Sequence, residues 1–379
     1  MPESPSHAGS TAAPDTLPPG LHCAQDHERL AQERIPTGVL AYIEGGSGQE
    51  QTLRRNRAAF ARQSILPRLL QPLQHGHTRL SLLGHELAHP VLLAPVAWQK
   101  LVHTRGEIET AQAAAATDTC MVLSTLSSCT LEEVAKHAAT RWFQLYWQAS
   151  REHTLSLVRR AEASGYSAIA VTLDASVQTP SLRALRAGFR FPGDVCAANL
   201  QGLPSVTPPA WQANDSAIFQ GVMSTAPVWD DVRWLRAQTS LPLLIKGVLR
   251  EDDALRLREL GADGLIVSNH GGRALDGVPA SLDRLPALRQ AVGPDFPLLL
   301  DSGVRSGQDV FKALALGANA ALIGRLQVHA LAVGGALGVA HLLRTLREEL
   351  ELCMAQAGCA TLADITPDLV QPHLTESPC

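Results

Sequence analysis

From residue 91 onward the chain alternates short apolar runs with longer amphipathic stretches. The runs are Val91–Val96, Met121–Ser124, Trp142–Tyr146, Ala168–Leu173, Pro242–Lys246, Gly264–Ser268, Pro297–Asp301 and Ala320–Ile323. Each is nearly continuous in apolar residues, as a strand covered on both faces must be. Most are separated by stretches of helical period: Glu107–Thr117, Leu131–His137, Arg151–Ser164, Asp252–Leu260, Leu282–Ala291 and Gly307–Leu316. Gly165, Gly261 and Gly317 follow the last apolar turn of three of them, where a helix end favours a residue without Cβ. Residues 260–267 and 316–323 repeat one pattern, as successive helix–strand units would. This rhythm predicts an α/β chain closed into a (β/α)8 TIM barrel. A doubly wound sheet is the competing arrangement, but eight units in one series favour closure.

Before residue 91 the pattern is different. Polar helices are expected over Gln25–Ile35 and Gln51–Ser64, with Ala41–Ser47 as a glycine-rich bend carrying Tyr42. Leu80–Leu83 and Glu86–Ala88 read as the arms of a short hairpin. The predicted organisation is a disordered tail (1–22) and a single domain (23–379), made of a helical cap (23–90) and a barrel (91–375). The connection Asp174–Leu241 breaks the rhythm. Its part 192–228, rich in Pro, Ser, Gln and Asn, is read as a lid or a disordered loop.

Composition narrows the function. The 379 residues are 45% hydrophobic and 18% charged, with a formal net charge of −4. There is no basic excess for a nucleic-acid partner. No run of about 18 apolar residues is apparent, so no membrane partner is expected. The N-terminus has neither the basic start nor the apolar core of a signal peptide. Seven cysteines without paired spacing predict reduced thiols, a cytoplasmic protein and no metal site. No Gly-x-Gly-x-x-Gly follows a first strand, so a dinucleotide-binding domain is not indicated.

The chemistry gathers at the C-terminal ends of the runs, which face the active site in barrels of this type. Ser124, Gln144, Tyr146, Thr172, Asp174, Lys246, Ser268, His270, Arg273, Asp301, Ser302, Arg305 and Arg325 all fall there. Gly303–Arg305 and Gly324–Arg325 follow runs seven and eight. There backbone N–H groups and guanidinium forks suit a phosphate. His270 can take a proton near neutral pH, Asp174 can orient it, and Arg273 can grip a carboxylate. Only four residues are lysine: Lys100, Lys136, Lys246 and Lys312. Lys246 ends an apolar run, where a buried ammonium needs an anion. A Schiff-base role for it would leave Gln144, Thr172, His270 and the phosphate loops without a common purpose.

These strings resemble the FMN-dependent 2-hydroxy-acid oxidase/dehydrogenase family, which includes glycolate oxidase, lactate oxidase, mandelate dehydrogenase and hydroxymandelate oxidase. The resemblance covers roughly residues 30–370. It is carried by Ile266-Val-Ser-Asn-His-Gly-Gly-Arg273, Tyr42-Ile-Glu-Gly-Gly, Thr52-Leu-x-x-Asn-Arg57, Trp142-Phe-Gln-Leu-Tyr146, Thr172-Leu-Asp174, Ile245-Lys-Gly247, Leu300-Asp-Ser-Gly-Val-Arg305 and Phe311-Lys-Ala-Leu-Ala-Leu-Gly-Ala318. It implies FMN as cofactor and oxidation of a small (S)-2-hydroxy acid, of lactate or mandelate type, to the 2-oxo acid. Oxygen or another acceptor would reoxidise the flavin. It also implies a homo-oligomer, tetramer or octamer. His270 would be the base, paired with Asp174. Tyr42 and Arg273 would hold the substrate carboxylate and Tyr146 the substrate oxygen. Lys246 would sit at the flavin N1–O2 edge. Pro95, Val96, Ala97, Ser124, Gln144, Thr172 and Ser268 would contact the ring and ribityl parts. Asp301, Ser302, Gly303, Val304, Arg305, Gly324 and Arg325 would hold the ribityl chain and phosphate.

The chain departs from the family pattern at three places. Many members carry an arginine seven residues after the strand-four aspartate, where this chain has Ser181. Leu126 replaces a tryptophan found in glycolate oxidases, and Ser306 replaces a second arginine after Arg305. The first raises the alternative of a flavin-binding barrel with weak or lost turnover. The second implies a differently shaped pocket.

Overall fold

The computed structural model describes residues 16–203, 212 and 214–373. Most of the expected tail, part of the expected lid and Cys379 therefore lie outside the described residues. Eight parallel strands close a barrel: β1 (Val91–Leu93), β2 (Met121–Ser124), β3 (Arg141–Tyr146), β4 (Ile169–Thr172), β5 (Leu243–Val248), β6 (Gly264–Val267), β7 (Leu298–Leu300) and β8 (Ala320–Ile323), with β8 pairing back to β1. Their apolar character follows from being covered twice. Ile169, Val171, Leu243, Ile245, Leu265 and Val267 pack outward under the helices. Leu92, Val122, Trp142, Ala170, Leu244, Ile266 and Leu299 fill the barrel interior.

The side-chain period of two then decides the top of the barrel. Two residues after Val122, Trp142, Ala170, Leu244, Ile266 and Leu299 come Ser124, Gln144, Thr172, Lys246, Ser268 and Asp301. The top interior layer is thus polar where the layer below is apolar. The predicted hairpin is present as Leu80–Leu82 paired with His85–Leu87. Its Leu82 and Leu87 pack with the interior residues.

Helices α1 (Ala24–Ala31), α2 (Thr37–Glu44) and α3 (Gln51–Ala61) precede the barrel. Two expectations are corrected here. Ala41–Ser47 is not a bend throughout: α2 starts after Pro36 and carries Tyr42 to its last turn, and only Gly45 onward leaves the helix. The helix expected to reach Ser64 ends at Ala61, because Gln63–Ile65 pairs antiparallel with Val370–Pro372 from the far end of the chain.

The helices around the barrel are α4 (Glu107–Ala116), α5 (Leu131–Ala135), α6 (Arg151–Ala163), α7 (Leu182–Arg186), α8 (Trp229–Gln238), α9 (Glu251–Glu259), α10 (Ser281–Val292), α11 (Gly307–Ala315) and α12 (Arg325–Ala357). Helix α12 is long and apolar enough to cross a membrane, which corrects the expectation that no such stretch exists. It is mostly buried in the fold and is broken by non-helical backbone at Gly334 and Gly335. Among the described residues the six cysteines are unpaired.

Candidate active site

The strand ends, α2 and the loops after β6, β7 and β8 enclose one cleft at the top of the barrel. Its empty space is about 1200 Å3, open mouth included. Among the predicted residues, Tyr42, Pro95, Val96, Ala97, Ser124, Tyr146, Thr172, Lys246, His270, Arg273, Asp301, Ser302, Gly303, Val304, Arg305, Gly324 and Arg325 line it. Asp174 is not part of this lining, and neither are Gln144 and Ser268. Gln144 and Ser268 are buried one step behind the wall. Gln144 Oε1 accepts from Ser124 Oγ and Thr125 N, and its Nε2 donates to Thr172 Oγ1. Ser268 Oγ accepts from Lys246 Nζ at 2.8 Å and from the His270 N–H at 3.0 Å.

His270 holds Nδ1 at 3.0 Å from Asp174 Oδ1 and Nε2 at 3.2 Å from the Tyr146 hydroxyl. A carboxylate cannot donate, so the Nδ1 proton points at Asp174 and the Nε2 lone pair faces Tyr146 and the cleft. Burial works to raise the Asp174 carboxyl, but the hydrogen-bonded His270 ring and the Lys246 charge outweigh it and hold it below the usual carboxylate range. Burial pushes the Tyr146 phenol well up, so it stays a donor at neutral pH. Burial disfavours the Lys246 ammonium. Asp301 Oδ2 at 3.1 Å and the nearby Asp174 more than offset this, so Lys246 stays charged.

The arginines close the other sides. Arg273 donates from Nη1 to the carbonyls of Tyr42, Ile43 and Gly45, and its guanidinium lies 4.8 Å from the Tyr42 ring centre. Arg325 reaches the carbonyls of Ile43, Gly45 and Gly271. Two cations therefore meet the negative end of α2. Burial, with Arg273 and Arg305 close by, lowers Arg325 to about 9. Arg305 is paired with Glu28 of α1 at 3.2 Å.

A cofactor with a flat ring at one end and a phosphate at the other fits this cleft. Pro95, Val96 and Ala97 give the cleft an apolar stretch of wall, and Lys246 lines the same cleft. Arg305 and Arg325 line it together with Gly324, where a Cβ would meet nothing within 4 Å, so the backbone is open to a ligand. Burial first, and then the neighbouring guanidinium charges, depress Arg325, and a phosphate dianion would offset both.

Several lining residues had no sequence signal: Trp98, Leu101, Val102 and Gln178. Trp98 belongs to a group in which Phe189 stacks on Tyr42 at 4.6 Å and Phe191 meets Trp98 edge-on at 4.6 Å. Period and spacing do not reveal this group, because three separate segments supply it. Ser181 does not line the cleft. It caps α7, accepting from the Ala184 N–H, and bridges to Gly48. Arg183, two residues on, pairs with Glu50. Gln178 is the polar residue that the loop after β4 turns to the mouth. Leu126 does line it.

Comparison with known proteins gives one direction. The family model described as FMN-dependent dehydrogenase matches residues 31–372. An L-lactate oxidase of Alicycliphilus denitrificans is 61% identical over 94% of this chain and 98% of its own. The 2-hydroxyacid oxidase 1 of Homo sapiens is 39% identical over 94% of this chain and 98% of its own. A mandelate oxidase variant with a C4a-OH-FMN adduct superposes with a TM-score of 0.82 at 39% identity, covering 90% of this chain and 97% of that one.

Proposed function

The chain belongs to the FMN-dependent dehydrogenase family, and on that premise we propose that it oxidises a short (S)-2-hydroxy acid, L-lactate first among them, to the 2-oxo acid. The observation that carries this reading is His270, which is paired with Asp174 and lines the same cleft as Arg273, Tyr146 and Lys246. FMN supplies the acceptor for the two electrons. Arg305 and Arg325, with the loops at Gly303 and Gly324, would hold its phosphate, and Lys246 would face its ring.

The remaining work falls to side chains. Arg273 and Tyr42 orient the substrate carboxylate. Tyr146 donates to the substrate oxygen. His270 Nε2 takes up a proton as C–OH becomes C=O, and Asp174 stabilises the imidazolium so formed. The choice of L-lactate is supported by the relative at 61% identity, which also supports oxygen as the final acceptor. No observation favours the alternative of lost turnover, since the His270, Asp174, Tyr146 and Arg273 set is complete and Ser181 lies outside the cleft. The same reading includes a cytoplasmic homo-oligomer, a tetramer or octamer, which light scattering checks.

Anaerobic addition of L-lactate, glycolate and (S)-mandelate to the FMN-loaded protein tests the proposal. L-Lactate is expected to bleach the flavin fastest, with hydrogen peroxide formed on admitting air. A flavin bleached by none of the three would overturn the reading.

A further inference from the structure

The motif Thr52-Leu-x-x-Asn-Arg57 has no part in the chemistry above, yet Asn56 is buried at 2% exposure. Its amide lies against that of Asn269 in a reciprocal pair. Asn56 Nδ2 donates to Asn269 Oδ1 at 2.8 Å, and Asn269 Nδ2 donates to Asn56 Oδ1 at 2.7 Å. Asn269 also accepts from the Gly272 N–H and donates to the Pro279 carbonyl, so its amide has no capacity to spare.

The neighbour in sequence is His270, whose φ of 60° is left-handed and unfavourable for a residue with a side chain. Something outside the loop must hold that conformation, and α3 with the bend before it is in place to do it. Ser47 N and Oγ donate to the Gly272 carbonyl, Thr52 N donates to Asp276, and the Gly277 N–H donates to Thr52 Oγ1. Of these contacts only the one from Asn56 reaches the residue next to the base.

We propose that Asn56 is a positioning residue for the reaction, setting through its amide pair with Asn269 the aim of His270 and Arg273 at the substrate. The inference rests on His270 being the base. The pair is neutral and directional, so a carboxylate cannot replace it. In N56D one oxygen would accept from Asn269 Nδ2, but the other would face Asn269 Oδ1. Turning the Asn269 amide to escape would cost its bonds to Gly272 and Pro279.

The test measures the limiting rate of anaerobic flavin reduction by L-lactate in FMN-loaded N56A, N56S, N56D, N269A and N56A/N269A, beside the FMN dissociation constant from flavin fluorescence. N56A is expected to reduce about tenfold or more slowly, since a misplacement near 1 Å costs up to about a hundredfold. N56D is expected to be slower still. N56S is expected to fall between N56A and the parent. FMN affinity is expected to stay within about twofold, and the double variant to be no slower than N269A, because one unit is broken only once. Reduction at the parental rate in N56A, or in N56S should N56A not fold, overturns the proposal. So do losses that multiply in the double variant. H270Q separates the two levels: parental reduction in H270Q removes the base assignment itself, whereas a dead H270Q beside a normal N56A removes only the role of Asn56.

Discussion

Lys246 shows how one residue's environment fixes its role. In a chain whose default cation is arginine, it stands at the top of β5 as a compact charge, 4% exposed, between Asp301 and Ser268. Replacing it by methionine would leave the Asp301 carboxylate buried without its partner, and breaking such a pair costs about 3–5 kcal/mol. K246M is expected to bind FMN more weakly and to reduce it at least about tenfold more slowly, as read by fluorescence titration and stopped-flow absorbance. Asp174 acts on the base instead of the cofactor. D174A should slow reduction while leaving FMN affinity unchanged, and weakened cofactor binding in that variant would count against its role. Leu126 shapes the mouth. L126W should lower kcat/KM for (S)-mandelate more than for L-lactate, since an indole added to this wall takes space from a phenyl group before a methyl group. Equal losses on both substrates would remove Leu126 from specificity.

At the scale of elements, loops after the strands carry the reacting groups and neighbouring helices hold the loops. Helix α3 grips the loop after β6 through Asn56 and the loop after β7 through Arg57, which donates to the Gly303 carbonyl at 2.7 Å. The approach is close enough to dictate glycine. At Gly272, φ is +75° and a Cβ would lie 2.7 Å from the Leu53 nitrogen. G272A therefore carries both a left-handed penalty and a backbone clash. It is expected to lose about 2 kcal/mol or more of unfolding free energy in urea. An unchanged urea midpoint would show that α3 can move away from the loop. Ser306, which departs from the family pattern, serves its own helix: the Oγ caps α11 by accepting from the Asp309 N–H.

At the scale of the molecule, the helical cap joins the barrel through buried histidines. His27 of α1 is fully buried, with Nε2 3.2 Å from His341 Nδ1 of α12, and burial lowers it to about 4. His89, just before β1, is lowered to about 4 for the same reason. Both are neutral in the folded protein, whereas in the unfolded chain they titrate near 6.5. As pH falls from about 6.5 toward 4, the unfolded chain takes up protons that the fold refuses, so stability is intact above that window and lost through it. Each shift is worth about 3 kcal/mol once fully expressed. The urea midpoint is expected to be clearly lower at pH 4.5 than at pH 7, with a shallower decline in H27F. Equal midpoints at the two pH values would contradict the burial of both rings.

The sequence by itself determined the barrel, because strands covered on both faces must be apolar throughout and eight such runs alternate with amphipathic helices. It also determined most of the cleft, because the period of two carries polar residues to the strand ends, where a purely structural barrel has no use for them. Tertiary structure alone decided the rest. Gln144 and Ser268 occupy the same polar layer as the lining residues but stand behind it, a difference of depth that periodicity does not record. The aromatic group of Tyr42, Trp98, Phe189 and Phe191 and the amide pair of Asn56 with Asn269 join residues far apart in the chain. Their partners exist only once the barrel closes and the cap is laid across it.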